Sequence, residues 1–193
     1  MEKVTQLKDE ELVSQYLLED NELAFIEIVN RYLKPLYNFT YRLCGNTSEA
    51  EEITQESFLK IWKKLHTFKQ GEKFKTWIYT IARNTTIDHL RKKKSLVFSD
   101  FDREDGDNFL EDTLVDTEIL PDELFEKSEK KKDMEELLST LSVHYREVLI
   151  LHYHESLSFE EISGVLEKPL NTVKSHHRRA IIALRKKLEN APK

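Results

Sequence analysis

Apolar positions recur at three- and four-residue intervals along most of the chain, and nowhere do they alternate as they would in a strand, so the pattern predicts an all-α protein. Leu12, Val13, Tyr16 and Leu17 form one apolar face. After a polar break at Asp20 and Asn21, Ala24, Phe25, Ile28, Val29 and Tyr32 form another. Pro35 is expected to start or kink a third helix, because its ring removes a donor and clashes with the preceding turn. That helix carries Leu36, Tyr37, Phe39, Thr40 and Leu43 to a stop at Gly45. Ser48 and Glu51 read as a capping box opening a helix that buries Ala50, Ile53, Phe58, Ile61 and Leu65, and its acidic first turn suits the helix dipole. A polar loop over 66–73 follows. From Phe74 or Lys75 a long helix then runs through Trp77, Ile78, Ile81, Ala82, Ile87 and Leu90 into the basic end Arg91, Lys92, Lys93 and Lys94.

Regularity then fails, and the stretch from Ser95 to about Lys130 reads as a linker. Beyond it Leu137, Leu138 and Leu141 mark one helix, and Val148, Leu149 and Leu151 another. Ser158 and Glu161 form a second capping box, placing a helix start at Phe159. Ile162, Val165 and Leu166 line its inner face, and Pro169 ends it. Asn171 or Thr172 is expected to cap the final helix, whose stripe is Val173, Ala180, Ile181, Leu184 and Leu188. Its other faces carry Lys174, Ser175, Arg178, Arg179, Arg185, Lys186 and Lys187. A short helix, a tight turn and a basic amphipathic helix describe a helix-turn-helix, whose second helix enters the DNA major groove.

Charge sharpens this division. The formal net charge is −6 over 193 residues, but between Ser99 and Glu126 twelve acidic residues face only Arg103, a local net of −11, leaving +5 elsewhere. The acidity belongs to the linker. About 30 extended residues reach roughly 100 Å, more than the roughly 70 Å of two turns of duplex, so both flanking units can contact one DNA molecule. The chain is 34% charged and has no apolar run long enough for a bilayer. Its first residues carry no apolar secretory segment, and the lone Cys44 reads as a small core residue in a reducing, cytoplasmic setting.

Two stretches suggest chemistry. Along the long helix, Phe74, Lys75, Trp77, Tyr79, Arg83, Asn84, His89 and Arg91 interleave rings and cations, the combination that stacks single-stranded bases and follows phosphates. The alternative is structural, with Trp77 and Ile78 in the core and the basic end offsetting the dipole. In the last helix the charge is almost single-signed, with short hydrogen-bonding side chains in the first turn, as base reading requires. The alternative there is a solvated charged face. No G-x-G or Walker-type motif occurs, and His154-Glu155 lacks the second His of a zinc protease, so neither catalysis, a metal nor a cofactor is expected.

Four motifs in order, SEAEEITQESFLKIW (48–62), FKTWIYTIARNTTIDHLRKKK (74–94), YREVLILHYHESLSFEEIS (145–163) and PLNTVKSHHRRAIIALRKKL (169–188), resemble the extracytoplasmic-function (ECF) group of bacterial RNA polymerase sigma factors. The resemblance implies two small helical domains: sigma region 2 over 1–94 and sigma region 4 over 131–193, joined by an acidic flexible linker over 95–130. It implies that Glu52, Gln55, Glu56, Phe58, Ile61 and Trp62 bind core RNA polymerase at the coiled coil of its largest subunit, with a further contact at the flap region. Phe68, Lys69 and Gln70 would border a pocket for a flipped base of the −10 element. Trp77, Tyr79, Arg83, Asn84, Asp88 and Arg91 would face that element. Asn171, Thr172, Lys174, Ser175 and Arg178, with Arg179 and Lys186 on phosphate, would read the −35 element. Promoter DNA and an anti-sigma factor are the other partners implied, with no membrane insertion and no enzymatic activity.

Three positions depart from the family pattern. Asn171 stands where Gly is usual, Glu167 where a turn Gly is common, and His177 where an apolar residue is typical. The expected state of His177 is neutral and hydrogen-bonded in the core; a metal or pH response involving His176 is the alternative. The rival function is a stand-alone helix-turn-helix regulator, which leaves the motifs at 48–94 unexplained.

Overall fold

The computed structural model describes residues 4–69, 71–95 and 137–189. They include seven α-helices, α1 Asp9–Glu19, α2 Glu22–Cys44, α3 Thr47–Lys64, α4 Phe74–Ser95, α5 Val143–Leu149, α6 Phe159–Leu166 and α7 Leu170–Glu189, and residues 137–139 are helical as well. Short 3-10 turns lie at Val4–Gln6 and Leu65–Thr67, and α5 runs into a π-helical stretch, Ile150–His154. No strand occurs among the described residues. The expected linker and the pocket residue Gln70 lie outside them.

Local chemistry accounts for most helix ends. The α1 start is closed by the Glu11 carboxylate, which accepts from the Lys8 amide at 2.8 Å. α2 ends on Gly45 in the left-handed conformation at φ 73°, as expected. Ser158 Oγ accepts from the Glu161 amide at 3.2 Å while Glu161 returns the bond to the Ser158 amide at 2.8 Å, the reciprocal cap the spacing predicts. α6 stops at Glu167, which adopts the left-handed conformation at φ 52° without being glycine.

Three expectations need correction. Pro35 neither starts nor breaks a helix but sits inside α2, which is continuous over 23 residues. The lost bond and clash cost about 3 kcal/mol, and the burial of Ile28, Leu36 and Phe39, each 0% exposed, outweighs it at about 1.5–3 kcal/mol per side chain. α3 is capped by Asn46 rather than Ser48, its side chain accepting from the Glu49 amide at 3.0 Å. The extended backbone of Asn46, just after the Gly45 turn, sets the side chain over that amide. Similarly, α7 starts at Leu170, with the Pro169 carbonyl rather than Asn171 or Thr172 opening the helix by accepting from the Thr172 and Val173 amides.

The core of the amino-terminal unit joins α1, α2, α3 and α4 through Leu12, Ile28, Leu36, Phe39, Ile61 and Ile78. The carboxyl-terminal unit has its own small cluster, Leu138, Leu141, Leu149, Ala180 and Leu184. The two units are not separate bodies, however. The larger cluster continues without a break into Val148, Ile150, Leu151, Leu157, Ile162 and Val165, so α4 packs on α6 and α2 approaches α5. Cys44, expected in the core, is only half-buried at the end of α2.

Candidate nucleic-acid interface

α3 presents an exposed face on which Glu52, Gln55, Leu59 and Trp62 recur at helical spacing. Leu59 is 57% and Trp62 51% exposed, large apolar surfaces with carboxylates beside them. Trp62 Nε1 donates to the Tyr16 hydroxyl at 2.9 Å, which fixes the ring's edge and leaves its face open. Glu56 pairs with Lys60 at 2.8 Å, and that hydrogen bond, outweighing partial burial, holds its carboxyl below the usual range. Phe58 is partly buried against the core. Ile61 is 0% exposed and leaves the candidate set, because its position puts it inside the bundle. Leu59, missed in the sequence reading, takes its place; its signal was an apolar residue falling between the stripe positions Phe58 and Ile61.

The recognition-helix candidates are spread over the outward side of α7. On α7, Asn171, Lys174, Arg178 and Lys186 are exposed, and Thr172, Ser175 and Arg179 are partly so. Val173, Ala180 and Leu184 face inward. His177 also turns inward: its Nε2 shares a 2.7 Å hydrogen bond with the Tyr153 hydroxyl, and its ring meets Phe159 and His152. Burial first, then the neighbouring His152, lowers it to about 4, so it is neutral at pH 7. Among the described residues no group of three or more His, Cys, Asp and Glu is placed to hold a metal ion.

α4 is a different case. Lys69 and Arg91 are exposed, Phe68, Asn84 and Asp88 partly so, and Arg91 pairs with Asp88 at 3.1 Å. Trp77 is partly buried, stacked on Phe74 at 5.7 Å and edge-on to Phe68 at 5.6 Å, which places it with the structural alternative. Tyr79 and Arg83, expected to face DNA, instead face the carboxyl-terminal unit. The Tyr79 hydroxyl donates to the Glu155 carboxylate, and the ring is 0% exposed. Arg83 grips Glu147 with Nε and one terminal nitrogen, at 3.0 and 3.3 Å, the two-point geometry of a guanidinium on a carboxylate.

More contacts close this seam. Lys75 donates to the Glu155 carbonyl, and Lys73 reaches Glu161 at 2.8 Å. Arg146 donates to the Leu43 carbonyl at 3.1 Å, putting its charge at the carbonyl end of α2. A Cβ added at Gly164 would lie 3.2 Å from the Thr76 methyl, so the backbones of α6 and α4 approach closely. Glu147 is 0% exposed. Burial alone would raise it, but the neighbouring His144 and the hydrogen-bonded Arg83 charge prevail and hold it below the ordinary carboxylate range. For Glu155 burial prevails over Tyr79 and Lys75, and the carboxyl is raised. The π-helical stretch helps to aim this group: the Glu155 amide bonds the Ile150 carbonyl at 3.1 Å, one residue farther back than in an α-helix. Sequence reasoning missed both glutamates. For Glu147 the signal was an acid three and four residues before Ile150 and Leu151, on an apolar stripe.

Residues 28–96 match the family Sigma-70 region 2, and residues 131–184 match Sigma-70, region 4. The ECF RNA polymerase sigma factor SigW of Bacillus subtilis (strain 168) is 35% identical over 168 residues, 86% of this chain and 90% of that protein. Two solved structures share the fold: CnrH in complex with the cytosolic domain of CnrY (TM-score 0.68, 20% identity, 95% of this chain and 99% of that one), and the sigma factor RpoE in complex with the anti-sigma factor NepR from Bartonella quintana (TM-score 0.65, 24% identity, 87% and 98%). Among the described residues no helix is long and apolar enough to cross a membrane. The chain therefore belongs to the ECF group of RNA polymerase sigma factors, DNA-binding proteins that direct transcription from promoters.

Proposed function

We propose that this sigma factor docks on core RNA polymerase through Glu52, Gln55, Glu56, Leu59 and Trp62 of α3, with Phe58 behind them. Through α4 and the loop before it, the protein melts and reads the −10 element, using Phe68, Lys69, Gln70, Asn84, Asp88 and Arg91, whereas Tyr79 and Arg83 are committed to Glu155 and Glu147. Through α7 it reads the −35 element as duplex. The observation that carries this reading is the presence, on separate exposed faces of one chain, of an acidic and apolar helix suited to a protein partner and a basic helix preceded by a capped helix and tight turn. The chemistry of each step is within reach of these groups. Extruding a base costs a few kcal/mol, which stacking at about 1–3 kcal/mol per base offsets. An arginine held bidentately on guanine contributes about 1–3 kcal/mol of discrimination.

The domain limits that go with this reading are 1–94 for polymerase and −10 contacts, 95–130 for the linker and 131–193 for the −35 reader. An anti-sigma factor is a further proposed partner, since both structural neighbours were solved in complexes and one partner is named as such. The test is reconstitution: the purified protein with core polymerase and host genomic DNA, followed by mapping of start sites. A shared pair of upstream sequence elements at the mapped starts is expected. A protein that binds DNA sites without polymerase and directs no start-site choice refutes the reading.

A further inference from the structure

Resting on the reading of α7 as the −35 reader, we infer that Tyr153 and His177 are positioning residues for that element. Their hydrogen bond sets the angle of α7 about its own axis, and with it the register in which Lys174, Ser175 and Arg178 meet base edges. His177 stands in the middle of the inward stripe of α7, between Val173 and Ala180. Those aliphatic neighbours, with Leu184, contribute burial, which is non-directional. The bond that His177 Nε2 shares with the Tyr153 hydroxyl, at 2.7 Å, is directional. An apolar side chain at 177 would fill the same space without that constraint.

The bond is braced from two other elements. Tyr153 lies in the π-helical stretch after α5, a local geometry that recurs at functional sites. Beside it His152 donates from Nδ1 to the Leu157 carbonyl at 2.9 Å, since a carbonyl can only accept. The His152 ring stacks on Phe159 of α6 at 4.6 Å. His177 meets both rings edge-on, at 5.5 and 5.0 Å, so its imidazole is held on several sides. Arg178 follows it directly, and Lys174 and Ser175 precede it within one turn. A rotation of α7 by about 20° carries a side-chain tip about 6 Å from the axis through about 2 Å. The window for a hydrogen bond is only about 0.5 Å wide. Base contacts from these three residues therefore require that angle to be fixed.

The test uses holoenzyme assembled from the full chain and core polymerase. Its duplexes carry a promoter defined by start-site mapping, with the upstream element intact, substituted one base pair at a time, or scrambled. Tyr153→Phe removes one hydroxyl and keeps the ring. It should lose about three- to tenfold in discrimination between intact and substituted elements, because a misplaced base contact forfeits part of its preference. Affinity for the scrambled duplex should stay within about twofold, and the salt dependence should not change, since no cation is removed. His177→Leu should behave like Tyr153→Phe. His177→Gln, whose amide offers both a donor and an acceptor near the place of Nε2, should discriminate within about twofold of the parent. Discrimination by Tyr153→Phe equal to the parent's, a loss shared equally by intact and scrambled duplexes, or His177→Leu matching His177→Gln would each overturn the inference while leaving α7 as the reader. A parent holoenzyme with no preference for the intact element would instead overturn the role of α7, and this inference with it.

Discussion

Arg83→Met is the sharpest probe of how the two units are held. The substitution keeps the volume but removes the charge facing Glu147, whose side chain is fully buried. What remains near that carboxylate is His144, with Nδ1 at 3.5 Å from Oε1. Removing one partner of a buried pair costs about 3–5 kcal/mol, because the other charge is left without compensation. The protein has an escape, since parting the seam lets water reach Glu147, and so the observable loss is capped at the free energy of closure itself. Arg83→Met should therefore open the seam before it melts either unit. In the Thr76→Cys/Gly164→Cys background the measurement is the rate of disulfide formation, alongside urea unfolding followed by circular dichroism. Disulfide formation should slow severalfold, and an early, low-cooperativity unfolding phase should precede the main transition. Adding Glu147→Leu to Arg83→Met should restore closure, because an apolar pair of similar volume commonly matches a buried ion pair. Closure and unfolding of Arg83→Met within about 0.5 kcal/mol of the parent, the usual range for an uninvolved surface change, would refute the reasoning. The pair also has a pH signature: with its folded value lowered, Glu147 contributes stability above its unfolded value of 4.5 that is lost as pH falls through the folded value.

Other expectations follow from the same structure. His177 is lowered from 6.5 to about 4, so the unfolded chain takes up a proton before the folded one does; stability should fall as pH drops from 6.5 through about 4, and His177→Leu should abolish that part of the loss in thermal melts at pH 7 and pH 4.5. Leu59→Glu should leave the melting temperature unchanged, because the side chain is 57% exposed, yet abolish co-purification with core polymerase; retained binding would remove α3 from the docking surface. Arg178→Ala should weaken binding to the −35 element and relax preference at one base position, by about 1–3 kcal/mol if the arginine holds a guanine; unchanged affinity and preference in a titration would reject the assignment.

The sequence by itself determined what depends on near neighbours along the chain. The Ser158–Glu161 cap, the Gly45 stop and the start of α4 were legible because each is decided within a few residues, by a hydroxyl, a missing Cβ or a run of apolar spacing. So was the basic face of α7, since a helix that sets Val173, Ala180 and Leu184 inward must turn its cations out. The four motifs also carried the family. Cap positions misled at α3, where Asn46 rather than Ser48 holds the first turn, and at α7, where the Pro169 carbonyl does, and at Pro35 burial overrode a local penalty.

Only the tertiary structure decided which faces meet. Arg83 and Glu147 lie 64 positions apart, and Lys73 and Glu161 lie 88 apart. No periodicity within either helix says that one will be paired with the other. For that reason Tyr79, readable as a DNA contact from its own stretch, turned out to be buried beneath a second unit and Arg83 to be paired with it, and Ile61 fell inside its bundle while Leu59 stayed out. A helical repeat fixes the angle at which a side chain leaves its axis, but burial belongs to the pair of surfaces in contact, and that pairing is settled by the packing free energy of the whole chain.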